Sequence, residues 1–350
     1  MWLKALGLFA AIYVLASLAG NAPIRSLGYT ANLIYILAVF PLTWLAVSQY
    51  PQIRRLIPLM YAFGLMVCAF MALQEARWGL VCVRAKAHIG IIELGSILGQ
   101  LSPIMVGAVA LSLRRKEKLR AGVFLLALAA SYVAMRISCS RIGMIAAPAL
   151  SVMVFAVNWR AFGWKGKLTA LALIAAVLIT TLGDPAIMGR FKEMGEASGN
   201  RNNEQRLFKW RMGWTAFNEH PVLGNGPGAV PQVPPAEIPI LDDGLPLFIW
   251  KEYTTAHQVF IQVLAESGII GLIGFLALHL VPLFLMRKNL RSRDPETFFW
   301  TWSAVAVTGQ FVLNAMTDNI FGLRPLMYIY WTTTAMALWP PSGGQKAEGH

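Results

Sequence analysis

The chain has 350 residues, of which 57% are hydrophobic and only 13% charged, with a mean hydropathy of +0.56. A soluble protein carries about a quarter charged residues, so a water-soluble globular enzyme is excluded and a polytopic, all-α transmembrane bundle is expected from apolar runs near twenty residues. A net charge of +13 would suggest nucleic acid in a soluble protein; here the basic residues fall mostly in short links that orient spans, so no nucleic-acid partner is implied.

Taken in order, Lys4 precedes a first apolar span at about residues 5–20. A second span follows too closely, and without a cleavage site, for the first to read as a cleaved signal. Further spans are expected at about 30–48, 56–73, 88–113, 121–138, 142–157 and 168–183. A large polar loop, 184–256, comes next, then spans at about 257–286, 297–316 and 325–339 and a polar, disordered tail over 340–350. That gives about ten spans in a single integral-membrane domain, 1–350. A β-barrel would show short alternating segments instead.

Arg54, Arg55, the run Arg114–Arg120, the 158–167 link and the cluster Arg287–Arg293 all fall on one side of these spans. Short basic loops stay in the cytoplasm, whereas long loops cross largely regardless of charge. Both termini are therefore expected in the cytoplasm. The large loop, the turn Ser138-Cys139-Ser140-Arg141 and Asp318 are expected on the outer face, the periplasm of a Gram-negative inner membrane. Cys68, Cys82 and Cys139 are an odd number without a CxxC, which signals neither a disulfide framework nor a metal site.

Charge inside a span costs about 2.5–3.5 kcal/mol and is usually functional. Arg136, Arg141, Glu93 and Glu266 gather toward the outer ends of the spans, with His279 deeper. Arginines at such depths also snorkel to headgroups, and carboxylates also pair with them as plain structural bridges.

Within the loop, Arg201 to Phe217 reads as an amphipathic helix. Trp210, Trp214 and Phe217 form one stripe, and Arg206 and Lys209 lie about 60° apart around the axis. That composition suits a helix at the lipid interface, or a plain anchor with solvated charges. The stretch His220 to Gly228 is a turn-rich stop in which Gly224, Gly226 and Gly228 permit close backbone approach; it lacks a Walker lysine. His257 opens the next span. A histidine there suits a general base near neutral pH, or equally a helix-end group bonded to a carbonyl. Glu266, nine residues on, falls on the opposite face if His257 is helical, and Gly268 and Gly271 allow tight helix packing. Asp242 and Asp243 could bind a cation, but adjacent carboxylates point apart unless the backbone turns and otherwise stay solvated, so no metal or other cofactor is implied.

Three patterns together resemble the O-antigen ligase family, a superfamily of membrane glycosyltransferases shared with O-antigen polymerases. They are SxSR, here Ser138, Ser140 and Arg141; Arg-x3-Trp…Pro-x2-Gly-x-Gly, here Arg206, Trp210, Pro221, Gly224 and Gly226; and His-(Asn/Gln) with Glu-x-Gly about nine residues on, here His257, Gln258, Glu266 and Gly268. The similarity covers roughly residues 130–275. The family's usual Asn is Gln258 here, and about ten spans stand where members often have twelve.

The resemblance implies transfer of a glycan from undecaprenyl pyrophosphate to an acceptor sugar hydroxyl on lipid A–core, with inversion and without a metal. It implies that Arg141 and Arg206 hold the pyrophosphate and that His257 is the catalytic base. Arg136, Arg211 and Glu266 are supporting candidates by position, and membrane lipids are the surrounding partner. Extension of the lipid-linked chain, as in a polymerase, and transfer to protein use the same site. A transporter or channel is the non-enzymatic alternative; polar groups at one face and the lack of an inverted repeat weigh against it. The expectation is geometric: Arg141, Arg206 and His257 should converge in one outward-facing, membrane-bounded cavity.

Overall fold

The structure, a computed structural model, describes residues 2–77, 91–168, 170–171, 183–185, 187–189, 192, 201–228, 255–317 and 323–339. Among the described residues there is no strand. The helices are α1 Trp2–Ala19, α2 Pro23–Leu37, α3 Val39–Gln49, α4 Ile53–Glu75, α5 Ile91–Arg114, α6 Lys118–Ser138, α7 Arg141–Val157, α8 Arg201–Glu219, α9 Val259–Met286, α10 Pro295–Ala315 and α11 Arg324–Leu338.

Among the described residues, six segments are long and apolar enough to cross a membrane: Trp2–Ala19, Pro23–Gln49, Ile53–Glu75, Glu93–Arg114, Lys118–Ser138 and Val259–Asn289. The segments expected at 142–157, 297–316 and 325–339 are also helices, α7, α10 and α11, but fall outside that group. Most of 168–183, and the tail 340–350, lie outside the described residues. On α4 the exposed residues Leu56, Met60, Phe63, Val67 and Phe70 recur at helical spacing. Such a stripe would be costly in water and is natural against lipid tails. The chain is a membrane protein.

Two compact units divide the chain. The first comprises Met1–Ala38, Lys192–Phe284 and Asn314–Arg324. Here α1 and α2 form a hairpin, entered through Pro23 at the first turn of α2, where a missing N–H costs nothing. Ser17 and Thr30 hydroxyls join the two helices at 2.7 Å. The later part of α9 packs on α1 through Phe275 and Phe9, with ring centroids 6.4 Å apart, and Gly274 lets Ile12 and Phe9 approach.

The second unit comprises Val39–Phe191, Leu285–Leu313 and Pro325–His350. Its central helix is α5, almost wholly buried against α4, α6 and α7. Small residues make that possible: Gly95 faces Ser140 and Gly99 faces Gln310, where any side chain would collide. At one end of this unit, Glu296 pairs with both Arg115, at 2.5 Å, and Arg54, at 3.2 Å. Beside it, Asp294 caps α10 by accepting the Thr297 amide at 2.8 Å. Burial pushes the Asp294 carboxyl up, but hydrogen bonds from the Thr297 hydroxyl and amide and the nearby Arg54 charge outweigh it, holding it below the ordinary carboxylate value.

Candidate functional site

The first unit is built around a break in α9. Gly268 sits at φ 62°, ψ −164° inside that helix, a combination open essentially to glycine alone. A helix broken within an apolar segment leaves backbone groups without partners, which is costly unless other chain supplies them. The stretch 220–228 does so. Asn225 and Gly226 amides donate to the carbonyls of Ala265 and Glu266, both at 2.9 Å. On the other side of the break, the Ile269 amide donates to Pro221 at 2.9 Å and that of Ile270 to Val222 at 3.4 Å. Gly268 therefore interrupts the helix, where the sequence pointed only to tight packing.

Asn225, fully buried, ties three elements together. Its side-chain amide donates to Ala216 at the end of α8 (2.8 Å) and to Ala265 of α9 (3.2 Å). Its oxygens accept from Asn21 in the α1–α2 turn, the side-chain oxygen at 2.9 Å and the carbonyl at 3.0 Å. Gly224, Gly226 and Gly228 all have positive φ, and a side chain on any of them would strike α9, the α1–α2 turn or Tyr29. Their amides donate to His220, to the Glu266 carbonyl and to the Glu266 carboxylate respectively. With its donors turned inward, this glycine run is a structural lock between helices, not a phosphate cradle.

Glu266 connects the lock to His257. Its Oε1 accepts the Gly228 amide at 2.8 Å and the Gln262 side-chain amide at 2.5 Å. Gln262 in turn accepts the Ala256 amide at 2.6 Å. His257 is the next residue, held at φ 49°, a left-handed conformation uncommon outside glycine. It precedes Gln258, whose side chain caps α9 by accepting the Ile261 amide at 2.6 Å. His257 is thus not helical, and the argument that put Glu266 on its opposite face does not apply: Glu266 acts on the adjoining backbone through Gln262. Sequence spacing missed Gln262 and Asn225; the polar residues at i and i+4 in an apolar helix, Gln262 and Glu266, were the available signal.

The helix expected over Arg201–Phe217 is α8. Its buried face is Gly213 and Ala216 with Lys209, and Gly213 abuts Ile261 and Ala256. Of the expected aromatic stripe, Trp214 is 52% exposed, with its ring 5.4 Å from Phe217, while Trp210 and Phe217 are half-buried. Arg206 precedes Gly213 by seven residues, about two turns, which places it on the side of α8 that meets the residues flanking His257. Arg206 is half-buried and forms no ion pair among the described residues, whereas Arg211 is exposed.

In the second unit, the Ser138–Arg141 turn joins α6 to α7. Cys139 caps α6 in the left-handed conformation, and extended Ser140 leads into α7, whose first residue is the half-buried Arg141. Ser138 is buried and donates to the Met135 carbonyl at 2.9 Å. Arg136 donates to Asp184 at 3.0 Å. Cys139 is disulfide-bonded, a crosslink the cysteine spacing did not signal. Such bonds persist in oxidising compartments. Asp242 and Asp243 lie outside the described residues.

The structure therefore groups His257, Glu266 and the face carrying Arg206 in one unit, and Arg136 and Arg141 in the other. No curated protein matches the chain. A family model described as O-antigen ligase matches residues 123–276, taking in the Ser138–Arg141 turn, α8, the glycine lock and the first part of α9. Through that stretch, somewhat under half its length, the chain is similar to the O-antigen ligase family.

Proposed function

We propose that this protein is a membrane glycosyltransferase that moves a glycan from undecaprenyl pyrophosphate to an acceptor hydroxyl on lipid A–core, at the periplasmic face of the inner membrane. The observation that carries the reading is the relay from Glu266 through Gln262 to the Ala256 amide. It fixes a strained histidine at the mouth of an apolar helix, inside the family region. Strain of this kind persists only where surrounding structure enforces it, and it collects at reactive positions.

In the proposed reaction His257 takes the proton of the acceptor hydroxyl as its oxygen attacks the anomeric carbon. The bond from that carbon to the pyrophosphate oxygen breaks, undecaprenyl pyrophosphate leaves, and the configuration inverts. Arg206 and Arg141 bind the pyrophosphate and stabilise the charge that grows on it; permanently charged guanidinium groups suit this task. The start of α9 adds the positive end of a helix dipole beside His257. Arg136, engaged with Asp184, steadies the segment carrying Arg141. These side chains supply base, donor clamp and leaving-group stabilisation without calling on a metal.

With the protein in lipid nanodiscs and a lipid-linked glycan as donor, His257→Ala should lower the transfer rate by about 10²–10⁴ while donor binding persists. A folded His257→Ala protein with undiminished transfer removes the assignment. Arg206→Ala should weaken donor binding. In cells, loss of a ligase leaves bare core while lipid-linked polymer accumulates. Core capped with a single repeat unit would instead identify a polymerase.

A further inference from the structure

The second unit carries a basic cleft that the proposed transfer reaction does not use. It lies where α5 ends and where α4, α6 and α10 begin, lined by Arg54, Arg55, Arg115, Arg120, Glu117 and Glu296. Four guanidinium groups face these two carboxylates, with Asp294 a third near Arg54, leaving an excess of positive charge. Glu296 is shared between Arg115 and Arg54, and Glu117 pairs with Arg120 at 3.1 Å. Arg54 is only 4% exposed. Its Nε lies 3.2 Å from Glu296, close enough for charge attraction but off the hydrogen-bond direction, and its buried Nη2 has no hydrogen-bond partner. A buried guanidinium N–H without an acceptor is costly, so an acceptor supplied from outside is favoured there. The positive ends of three helices converge on the same place.

We propose that this cleft binds a phosphate group, as carried by the headgroup of an anionic phospholipid. The enclosed space is about 20 Å³, room for one phosphoryl oxygen beside Arg54 while the rest of the headgroup stays at the mouth with Arg55 and Arg120. A lipid source fits the setting. The cleft sits at the ends of the candidate spans Ile53–Glu75, Glu93–Arg114 and Lys118–Ser138, at the depth of headgroups. From its edge the exposed stripe Leu56, Met60, Phe63 and Val67 runs along α4, a path for an acyl chain. The inference is independent of the proposed transferase activity and stands or falls without it.

The test is native mass spectrometry of the full chain in detergent, titrated with phosphatidylglycerol or phosphatidylcholine, with inorganic phosphate as a competing arm. Phosphatidylglycerol should be retained over phosphatidylcholine. Arg55→Gln and Arg120→Gln, both at the accessible mouth, should each weaken that retention about fivefold. Arg54→Lys keeps the buried charge but deletes Nη2, and should also reduce it. Displacement of the lipid by inorganic phosphate at equal concentration would keep the site and assign its source to the free anion. Equal retention of the two lipids, or folded Arg55→Gln and Arg120→Gln proteins that bind as well as the parent, overturns the proposal.

Discussion

Glu296 and Glu266 are both largely buried carboxylates, one in each unit, and they act in opposite ways. Glu296 draws together two arginines from α4 and α5, compensating charge with charge. Glu266 accepts a backbone amide and a carboxamide, and through them fixes the chain before His257. In the first case the carboxylate consumes the positive charge around it. In the second it sets geometry, and Arg206 on the neighbouring α8 forms no ion pair among the described residues. The same residue type is an electrostatic partner at one place and a backbone clamp at the other.

The contrast is broken most directly at Glu296. Glu296→Ala removes the carboxylate ion-paired with buried Arg54, leaving it only the more distant attraction of Asp294, and should cost about 3–5 kcal/mol of stability in thermal melts. A variant melting like the parent would mean Glu296 holds nothing together.

At Glu266 the expected loss is smaller and of a different kind. Glu266→Ala leaves the Gly228 amide and Gln262 without their acceptor, about 1–3 kcal/mol. Because the relay ends beside His257, the transfer rate should fall while affinity for the lipid-linked donor holds. Glu266→Gln keeps an acceptor oxygen and should recover much of that rate. Loss of donor affinity in its place would make Glu266 part of the pyrophosphate clamp.

The smallest effect belongs to Asp294, whose carboxylate, like that of Glu266, serves backbone geometry. Asp294→Ala should cost about 1 kcal/mol by removing the cap of α10. Its carboxyl is held below the ordinary value in the folded chain. Its contribution is therefore complete above the unfolded carboxylate value and is lost as pH falls through the lower, folded one. Asp294→Asn, which still caps, should flatten that part of the acid melting curve.

Local patterns carried much of this into the sequence. The apolar runs predict most of the helices, Arg201–Phe217 folds as α8, and the Ser138–Arg141 turn lies where two helices meet. The motif residues that suggested the family fall inside the stretch its model matches. Apart from the local Ala256–Gln262–Glu266 relay, the hidden features join residues far apart in the chain. Asn21 with Asn225, and Gly226 with Glu266, leave no periodic trace. Gly268 reads from sequence as a packing glycine, because nothing local says that Pro221 and Val222 will accept the amides beyond it. Which residues of α8 would be buried was likewise undecidable from spacing, since Gly213 and Ala216 compete for burial only once α9 is present.

The interruption at Gly268 also has a bearing on biogenesis. A continuous helix is complete as soon as it enters the bilayer, but α9 depends on groups made long before it. Asn21 must already stand at the α1–α2 turn, and the 220–228 stretch must already be held to it, when residues 259–270 are docked. Only then can the break be sealed and His257 take its place. The conformation at His257 is therefore set only after α1, α2, the 220–228 stretch and α9 have come together, and a chain stalled before that lacks it.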